Sequence, residues 1–364
     1  MAKGHRNFLL AGLSGLLLAL AYPGWSFGGS TGLTISLGFL VWIGFVPLFY
    51  ALSNIANRHD RGDLQYSSSS KKCFLTGLVA GLFYFLIIFR WLWSIHPLNT
   101  LGIENSFASL AIVFLVYLIS AVGMAVFWGL FGIIFNFQFS IFKKGKIPLI
   151  LQLLVPAALF VLLEYARSYG FGLLWAGSGT LFGPHWTLGN LAYALAGNNL
   201  ALKFSSYVGI YGISFVVILA NFLFLKIIAR KNLRSISIVT LIILLITLGP
   251  KFLNQKFSSP GKEINFAVIQ TNQPTKISPT PKEMLDAFRE QLDLLKRVAK
   301  EYPESQLIVF PEASNFFKNL SLFLTSAQIP NYFSNLFKEP RLIVAGAKII
   351  NTDGRTYSRV FSLD

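Results

Sequence analysis

Long apolar runs separated by short polar breaks fill the first 250 residues of the chain. Seven runs are candidate membrane spans, at about 7–23, 32–53, 73–95, 107–135, 147–166, 206–228 and 235–250. About 20 consecutive apolar residues are enough for a helix to cross a bilayer, so the pattern predicts a polytopic helical membrane domain over residues 1–250. The first run follows Lys3 and Arg6, and a signal peptide is the alternative reading of that segment.

A different pattern begins after a polar linker at residues 251–263. Thr280-Pro281-Lys-Glu283 has the features of a capped helix start, and apolar residues then recur every three or four positions as far as Tyr302. This indicates an amphipathic helix that packs on a sheet. The other predicted elements are strands at 264–269 and 307–310, a helix within about 321–338 interrupted near Pro330, and a hairpin of 342–350 with 357–363 around Asp353-Gly354. The order of elements predicts a layered α/β domain over residues 264–364.

Charge placement orients the predicted spans. The 364 residues are 54% hydrophobic, with a mean hydropathy of +0.59 and a net charge of +16. With a cytoplasmic N-terminus, the inside segments hold thirteen basic residues, whereas the outside loops between spans hold only Arg167 and Lys203. This asymmetry follows the positive-inside rule and places residues after 250 outside the membrane. The positive charge is therefore topological and gives no support to nucleic-acid binding.

A carboxylate stands at the end of the second predicted strand. The apolar run Leu307–Phe310 is followed by Pro311, which ends the strand, and by Glu312. Side chains at the carboxyl ends of strands reach into the sites of layered α/β folds, and apolar surroundings would raise the pKa of Glu312 and suit it to act as a general base. The alternative is a glutamate that only caps the next helix.

Ionisable and aromatic residues gather at the predicted outer ends of spans. Arg90 and Trp93 end the third span, and Glu164 and Arg167 share a helix face at the end of the fifth. The long loop 168–205, with Trp175, is predicted to be an external arm that either lies on the membrane surface or re-enters the membrane. These residues either anchor helices at the interface or form a polar site for lipid head groups. The one cysteine, Cys73, excludes an internal disulfide, and the four histidines show no metal-ligand spacing.

Several short motifs together resemble the apolipoprotein N-acyltransferase family, which joins a bacterial inner-membrane domain to a nitrilase-like (carbon–nitrogen hydrolase, α-β-β-α) periplasmic domain. The matching motifs are Glu164-Tyr-Ala-Arg167, Gly172-Leu-Leu-Trp175, Val208-Gly-Ile-Tyr211-Gly-Ile-Ser-Phe215, Gln270-Thr-Asn272 with Pro274, Phe310-Pro311-Glu312-Ala313 and Tyr357-Ser358. Leu174 replaces a family proline, and the family asparagine before Ser358 is absent.

The resemblance implies a reaction. In the family a Glu–Lys–Cys triad moves an acyl chain from a phospholipid, by way of a cysteine thioester, to the N-terminal diacylglyceryl-cysteine of an apolipoprotein, without a cofactor or metal. Only Glu312 carries over as a catalytic residue. The family's lysine and cysteine would follow Tyr357–Asp364, and so would an eighth span, so we expect residues 264–364 to be the first part of a truncated domain that is inactive alone. Arg90, Trp93, Glu164, Arg167 and Trp175 are the candidate lipid-binding residues.

Three other functions are compatible with the sequence. A different membrane-tethered carbon–nitrogen hydrolase would share the Glu312 strand but not the Tyr211 motif. A transporter would place ionisable residues in mid-span rather than at span ends. A non-catalytic lipid-binding protein or scaffold is the third alternative, and the missing lysine and cysteine are consistent with it.

Overall fold

A computed structural model describes residues 3–23, 37–60, 66–144, 147–175, 185–230, 263–271, 280–311, 314–325, 327–350 and 356–363. The chain divides into two compact units. The first, called the membrane unit below, comprises Met1–Pro97 and Glu104–Gln255. The second, called the sheet unit, comprises Leu98–Ile103 and Lys256–Asp364.

Apolar α-helices build the membrane unit. They are α1 (Lys3–Ala21), α2 (Val46–Asp60), α3 (Tyr66–Ile88), α4 (Ser106–Lys144), α5 (Leu149–Trp175) and α6 (Asn199–Arg230), joined by 3₁₀ helices at Gly38–Trp42, Phe89–Ile95 and Leu191–Leu195. Among the described residues, five stretches are long and apolar enough to cross a membrane: Gly38–Asn57, Ser67–Ile95, Ser106–Phe142, Ile150–Gly170 and Asn199–Ile228. The chain therefore has the composition of a polytopic membrane protein.

The predicted spans and the observed helices differ in number and in extent. The first apolar run lies in α1, whose apolar part, His5–Ala21, is shorter than the five stretches above. The seventh run, at 235–250, lies outside the described residues. Helix α5 continues to Trp175 and α6 begins at Asn199, so part of the predicted external arm at 168–205 is helical. The boundary predictions were wrong here because hydropathy marks where a run is apolar, whereas a helix continues as long as its backbone hydrogen bonds do.

Glycines allow α3 and α4 to approach each other closely. A Cβ atom on Gly81 would lie 2.9 Å from the Cα atom of Ala125, and one on Gly77 or Gly132 would collide with a backbone carbonyl of the facing helix. In a bilayer, helices have no hydrophobic effect to drive them together and associate through such close van der Waals contacts. The small residues therefore account for the tight packing of this pair.

The backbone between the first 3₁₀ helix and α2 is held by a side chain from α6. The Phe45 N–H donates to Oδ1 of Asn221 at 2.9 Å, while Nδ2 of Asn221 donates to the Val41 carbonyl at 2.9 Å. The amide of Asn221 thus stands between two groups that would bond to each other in a continuous α-helix. Ser14 in α1 donates to the adjacent Gly44 carbonyl at 2.5 Å. Irregular backbone inside a membrane requires partners of this kind.

The sheet unit contains a mixed four-stranded sheet in the order β1 (Phe266–Val268), β2 (Leu307–Val309), β3 (Leu342–Ile350) and β4 (Thr356–Leu363). The first three strands are parallel, and β3 and β4 pair antiparallel from Ile343↔Leu363 to Ile350↔Thr356. The predicted hairpin is confirmed, although Asp353 and Gly354 lie outside the described residues.

Helix α7 (Pro281–Glu301) confirms the predicted capped start. Oγ1 of Thr280 accepts from the Glu283 N–H at 3.3 Å, and the Glu283 carboxylate accepts from the Thr280 N–H at 2.9 Å. Phe288 and Leu295 are buried against the sheet, as their spacing predicts. The helix predicted within 321–338 is confirmed as α9 (Gln328–Leu336), and a short helix that was not predicted, α8 (Phe316–Leu320), precedes that range. Pro330 falls in the first turn of α9, where its missing N–H costs nothing.

Candidate functional site

The residues on both sides of Glu312 are tied to the neighbouring strand. Glu312 and Ala313 themselves lie outside the described residues. Before them, the Phe310 N–H donates to the Val344 carbonyl at 2.8 Å; after them, the Asn315 N–H donates to the Gly346 carbonyl at 3.0 Å. The Ser314 N–H also donates to the Pro311 carbonyl at 3.1 Å. The chain therefore enters and leaves the Glu312 position from points fixed on β3.

Gln291 fixes the same stretch from the helical side. This side chain is 1% exposed on α7, and its Nε2 donates to the Ser314 carbonyl at 3.0 Å. Asn315 follows with a left-handed backbone (φ 51°) that starts α8. A buried amide that holds a carbonyl next to a candidate catalytic residue is typical of a supporting contact. Gln291 was not among the predicted residues, although a polar residue on the apolar face of an amphipathic helix is a signal that the sequence contains.

Glu164 and Arg167 lie inside the membrane unit rather than on its surface. They are 5% and 1% exposed, and both bind the short connection Leu188–Leu191, called the 188–191 segment below. Oε1 of Glu164 accepts from the Leu191 N–H at 2.8 Å, and Nη1 of Arg167 donates to the Leu188 carbonyl at 2.7 Å. Nη2 of Arg167 donates to Oδ1 of Asn190. Together the two side chains hold non-helical backbone that has no helical partner of its own.

Tyrosines complete the contacts to the 188–191 segment. The Gly189 N–H donates to the hydroxyl of Tyr22 at 3.3 Å, and the hydroxyl of Tyr84 donates to the Gly189 carbonyl at 3.1 Å. Gly189 has φ +80°, and a Cβ atom there would lie 2.9 Å from the ring of Phe85. Only glycine meets both conditions without strain. The segment is thus held by side chains from α3 and α5 and from the end of α1.

The remaining candidates occupy the ends of α3 and α5. Arg90 and Trp93 lie in the 3₁₀ helix Phe89–Ile95, where Arg90 is exposed and Trp93 is 38% exposed. The Trp93 ring packs on Tyr117, with centroids 5.4 Å apart. Trp175 is the last residue of α5, and its side chain lies outside the described residues. The structure therefore separates two exposed candidates, Arg90 and Trp93, from two buried ones, Glu164 and Arg167.

Comparison with known proteins identifies the family. The model of the "Apolipoprotein N-acyltransferase N-terminal domain" family matches residues 14–223, which is more than half of the chain. The chain belongs to the apolipoprotein N-acyltransferase family. The matched range contains Glu164, Arg167 and Asn221 and ends before Lys256, where the longer part of the sheet unit begins.

Relatives in three bacteria agree with this identification. The apolipoprotein N-acyltransferase of Geobacter metallireducens is 27% identical over 321 residues, covering 85% of this chain and 51% of that protein. Apolipoprotein N-acyltransferase 2 of Leptospira interrogans is 28% identical over 302 residues (77% and 44%), and the Gloeobacter violaceus enzyme is 25% identical over 345 residues (93% and 58%). The chain spans about half the length of the apolipoprotein N-acyltransferases it matches.

Proposed function

We propose that this protein takes part in the N-acylation of bacterial apolipoproteins, with a membrane phospholipid as acyl donor and the N-terminal diacylglyceryl-cysteine of an apolipoprotein as acceptor. The observation that carries the proposal is the family match over residues 14–223. The motif Phe310-Pro311-Glu312, immediately after β2, supports it from the other unit.

The proposed architecture is a membrane domain of seven spans, the seventh at 235–250, followed by a nitrilase-like α/β region. The parallel strands β1 to β3, with α7 between β1 and β2, support an α/β layered domain. Basic residues on the predicted cytoplasmic side support an inner-membrane location with the sheet unit in the periplasm. In this proposal the membrane domain ends at residue 250, a linker covers 251–263, and the nitrilase-like region begins at residue 264.

Glu312 is the proposed general base. In the reaction it would accept the proton of a thiol as that thiol attacks the phospholipid ester, which forms a thioester and releases a lysophospholipid. It would then accept a proton from the acceptor amine as an amide forms and the thiol is regenerated. Cys73, the one cysteine of the 364 residues, does not suit the nucleophile's role, because it is 0% exposed within α3. The thiol would therefore be supplied by a partner chain.

Arg90, Trp93 and Trp175 are the proposed lipid-contacting residues. Arg90 and Trp93 support this role by their exposure beside each other at the end of α3. A guanidinium can bind a phosphate through two parallel hydrogen bonds, and tryptophan favours the depth of the lipid head groups. Glu164 and Arg167 are buried, so their contribution to lipid binding would act through the 188–191 segment.

The test is acyl transfer from phospholipid vesicles to a diacylglyceryl-cysteine peptide by the native protein, followed by mass spectrometry of the peptide. We expect no transfer by the 364-residue chain alone, because its one cysteine does not suit the nucleophile's role. Where transfer occurs together with a partner chain that supplies the thiol, we expect Glu312→Gln to lower its rate by about 10²–10⁴-fold, the typical effect of losing a general base. Glu304→Gln is the matched control, since Glu304 is exposed in the same unit and lies just before β2.

Each outcome separates the alternatives. Transfer that survives Glu312→Gln would remove Glu312 from the mechanism. Phospholipid binding by the native protein without any transfer, even with a partner chain that supplies the thiol, would favour the non-catalytic lipid-binding function instead.

A further inference from the structure

Trp91 and Trp186 form an aromatic pair between two parts of the membrane unit that are distant in sequence. Their ring centroids are 6.3 Å apart with planes at 74°, an edge-to-face contact. Trp91 is 40% exposed in the 3₁₀ helix Phe89–Ile95, directly after the exposed Arg90. Such pairs are stabilising beyond the apolar area that they bury.

The position of Trp186 depends on the backbone that carries it. Its N–H donates to the carbonyl of Ser168 at 3.0 Å, and two residues later the 188–191 segment begins. Arg167 holds the Leu188 carbonyl, and Glu164 holds the Leu191 N–H. Arg167 also lies over the ring of Phe85, with its Cζ 5.2 Å from the centroid. A continuous set of contacts therefore runs from the buried charges to the tryptophan pair, in which Trp186 is half-buried and Trp91 is exposed.

This arrangement is suited to lipid head groups. Arg90, Trp91 and Trp93 share one short helix at the end of an apolar span, and Trp186 extends the aromatic surface from the other side. Tryptophan rings prefer the boundary between hydrocarbon and water, and a guanidinium binds phosphate oxygens in two parallel hydrogen bonds. The charge and the aromatic surface together match a phospholipid, which carries a phosphate immediately above its acyl chains.

We propose that Trp91, Trp186 and Arg90 form a binding surface for the phosphate region of a membrane phospholipid, and that Arg167 and Glu164 are the positioning residues that hold Trp186 in it. The use of this surface to supply an acyl donor rests on the proposed function. Lipid binding itself does not, and it can be measured without acyl transfer.

The positioning part is tested by thiol labelling of the native protein in phospholipid vesicles. Cys73 is fully buried, so a cysteine introduced as Ala192→Cys, next to the 188–191 segment, is the reporter. Adding Arg167→Gln should raise the rate at which this cysteine reacts with maleimide by at least tenfold. The reason is that the guanidinium hydrogen bonds to the Leu188 carbonyl and to Asn190 are lost. Lys203→Gln, which neutralises an exposed cation in α6, should leave the rate unchanged.

The binding part uses vesicles that contain phosphatidylglycerol brominated near the start of its acyl chains, which quenches nearby tryptophan. Trp186→Phe and Trp91→Phe should each remove part of the quenched signal. Arg90→Gln and Arg167→Gln should each weaken the concentration dependence of quenching by at least threefold, whereas Lys203→Gln should not.

Leu153→Ala is the control for a general loss of stability, because Leu153 is a buried residue in the first half of α5. If Leu153→Ala changes labelling and quenching as much as Arg167→Gln does, the positioning role is refuted. Unchanged quenching in both Arg90→Gln and Trp186→Phe would overturn the lipid surface. Absence of acyl transfer even with a partner chain that supplies the thiol would refute the proposed function and leave these results intact.

Discussion

Replacing Asn221 by leucine tests how the membrane unit keeps its irregular backbone. The substitution removes the acceptor of the Phe45 N–H and the donor to the Val41 carbonyl, which link α6 to residues 176 and 180 positions away in sequence. Nδ2 of Asn221 also donates to the Val217 carbonyl within α6. Leucine has the same branching at Cγ as asparagine and lacks its hydrogen-bonding groups, so the substitution removes the hydrogen bonds while keeping the branched shape of the side chain.

The expected loss can be worked from these contacts. Hydrogen bonds between helices in membranes contribute about 0.6 kcal/mol on average and up to about 1.7 kcal/mol, so the two long-range bonds account for roughly 1–3 kcal/mol. Asn221 is 0% exposed, as is Phe45, so water cannot replace the lost partners. A buried donor left without a partner costs about 1–3 kcal/mol more, part of which the backbone recovers by relaxing. We expect a total loss of about 2–4 kcal/mol, estimated from the same values.

The assay is reversible unfolding of the whole protein in mixed detergent micelles, followed by circular dichroism as the denaturing detergent increases. Asn199→Leu is the matched control, since Asn199 is exposed at the start of the same helix and should change stability by less than about 0.5 kcal/mol. If Asn221→Leu were as stable as the unaltered protein, the inserted amide would not be what holds residues 41–45, and direct bonding of Phe45 to Val41 in a regular helix would be the better account.

Two further changes test the other unusual contacts. Gln291→Leu should destabilise the sheet unit by about 1–3 kcal/mol, because the Ser314 carbonyl loses a buried donor. Hydrogen exchange at the Ser314 and Asn315 amides should accelerate. The control Gln328→Leu changes an exposed residue and should leave exchange at those amides unchanged. Gly209→Ala should lower the free energy of unfolding by about 1–3 kcal/mol through backbone conformation alone. Gly209 has φ +66° and ψ −177°, and a Cβ atom there would meet nothing within 4 Å. Equal unfolding midpoints for the Gly209→Ala variant and the unaltered protein would contradict this.

Local patterns predicted the elements of the sheet unit well. The capping box at Thr280, the apolar spacing of Phe288 and Leu295 and the hairpin all depend on residues close in sequence, so a reading of the sequence could find them. The helix predicted within 321–338 is present as α9, whereas the short helix α8 was missed. Five residues are too few for an apolar period to show, and Phe316 and Leu320 are buried in the same core as Phe333 of α9.

The candidate site was less accessible from the sequence. Proximity in sequence drew attention to Glu164 and Arg167, and their spacing placed them on one helix face. Their burial and their common target could not be foreseen, because Leu188 and Leu191 lie more than 20 residues further along the chain. Arg90 and Arg167 were both predicted to lie at the outer membrane surface; Arg90 is exposed, whereas Arg167 is almost fully enclosed.

A physical rule connects the buried polar residues of the membrane unit. Backbone that leaves the helical ladder inside a membrane needs donors and acceptors from elsewhere in the protein. Asn221 supplies both for Val41 and Phe45, and the Glu164–Arg167 pair supplies them for the 188–191 segment. A lone polar side chain within an apolar run therefore points to an irregular backbone in another part of the chain. Applied to the sequence, the rule would have singled out Asn221 in the run 206–228, and the open question would have been which backbone it serves.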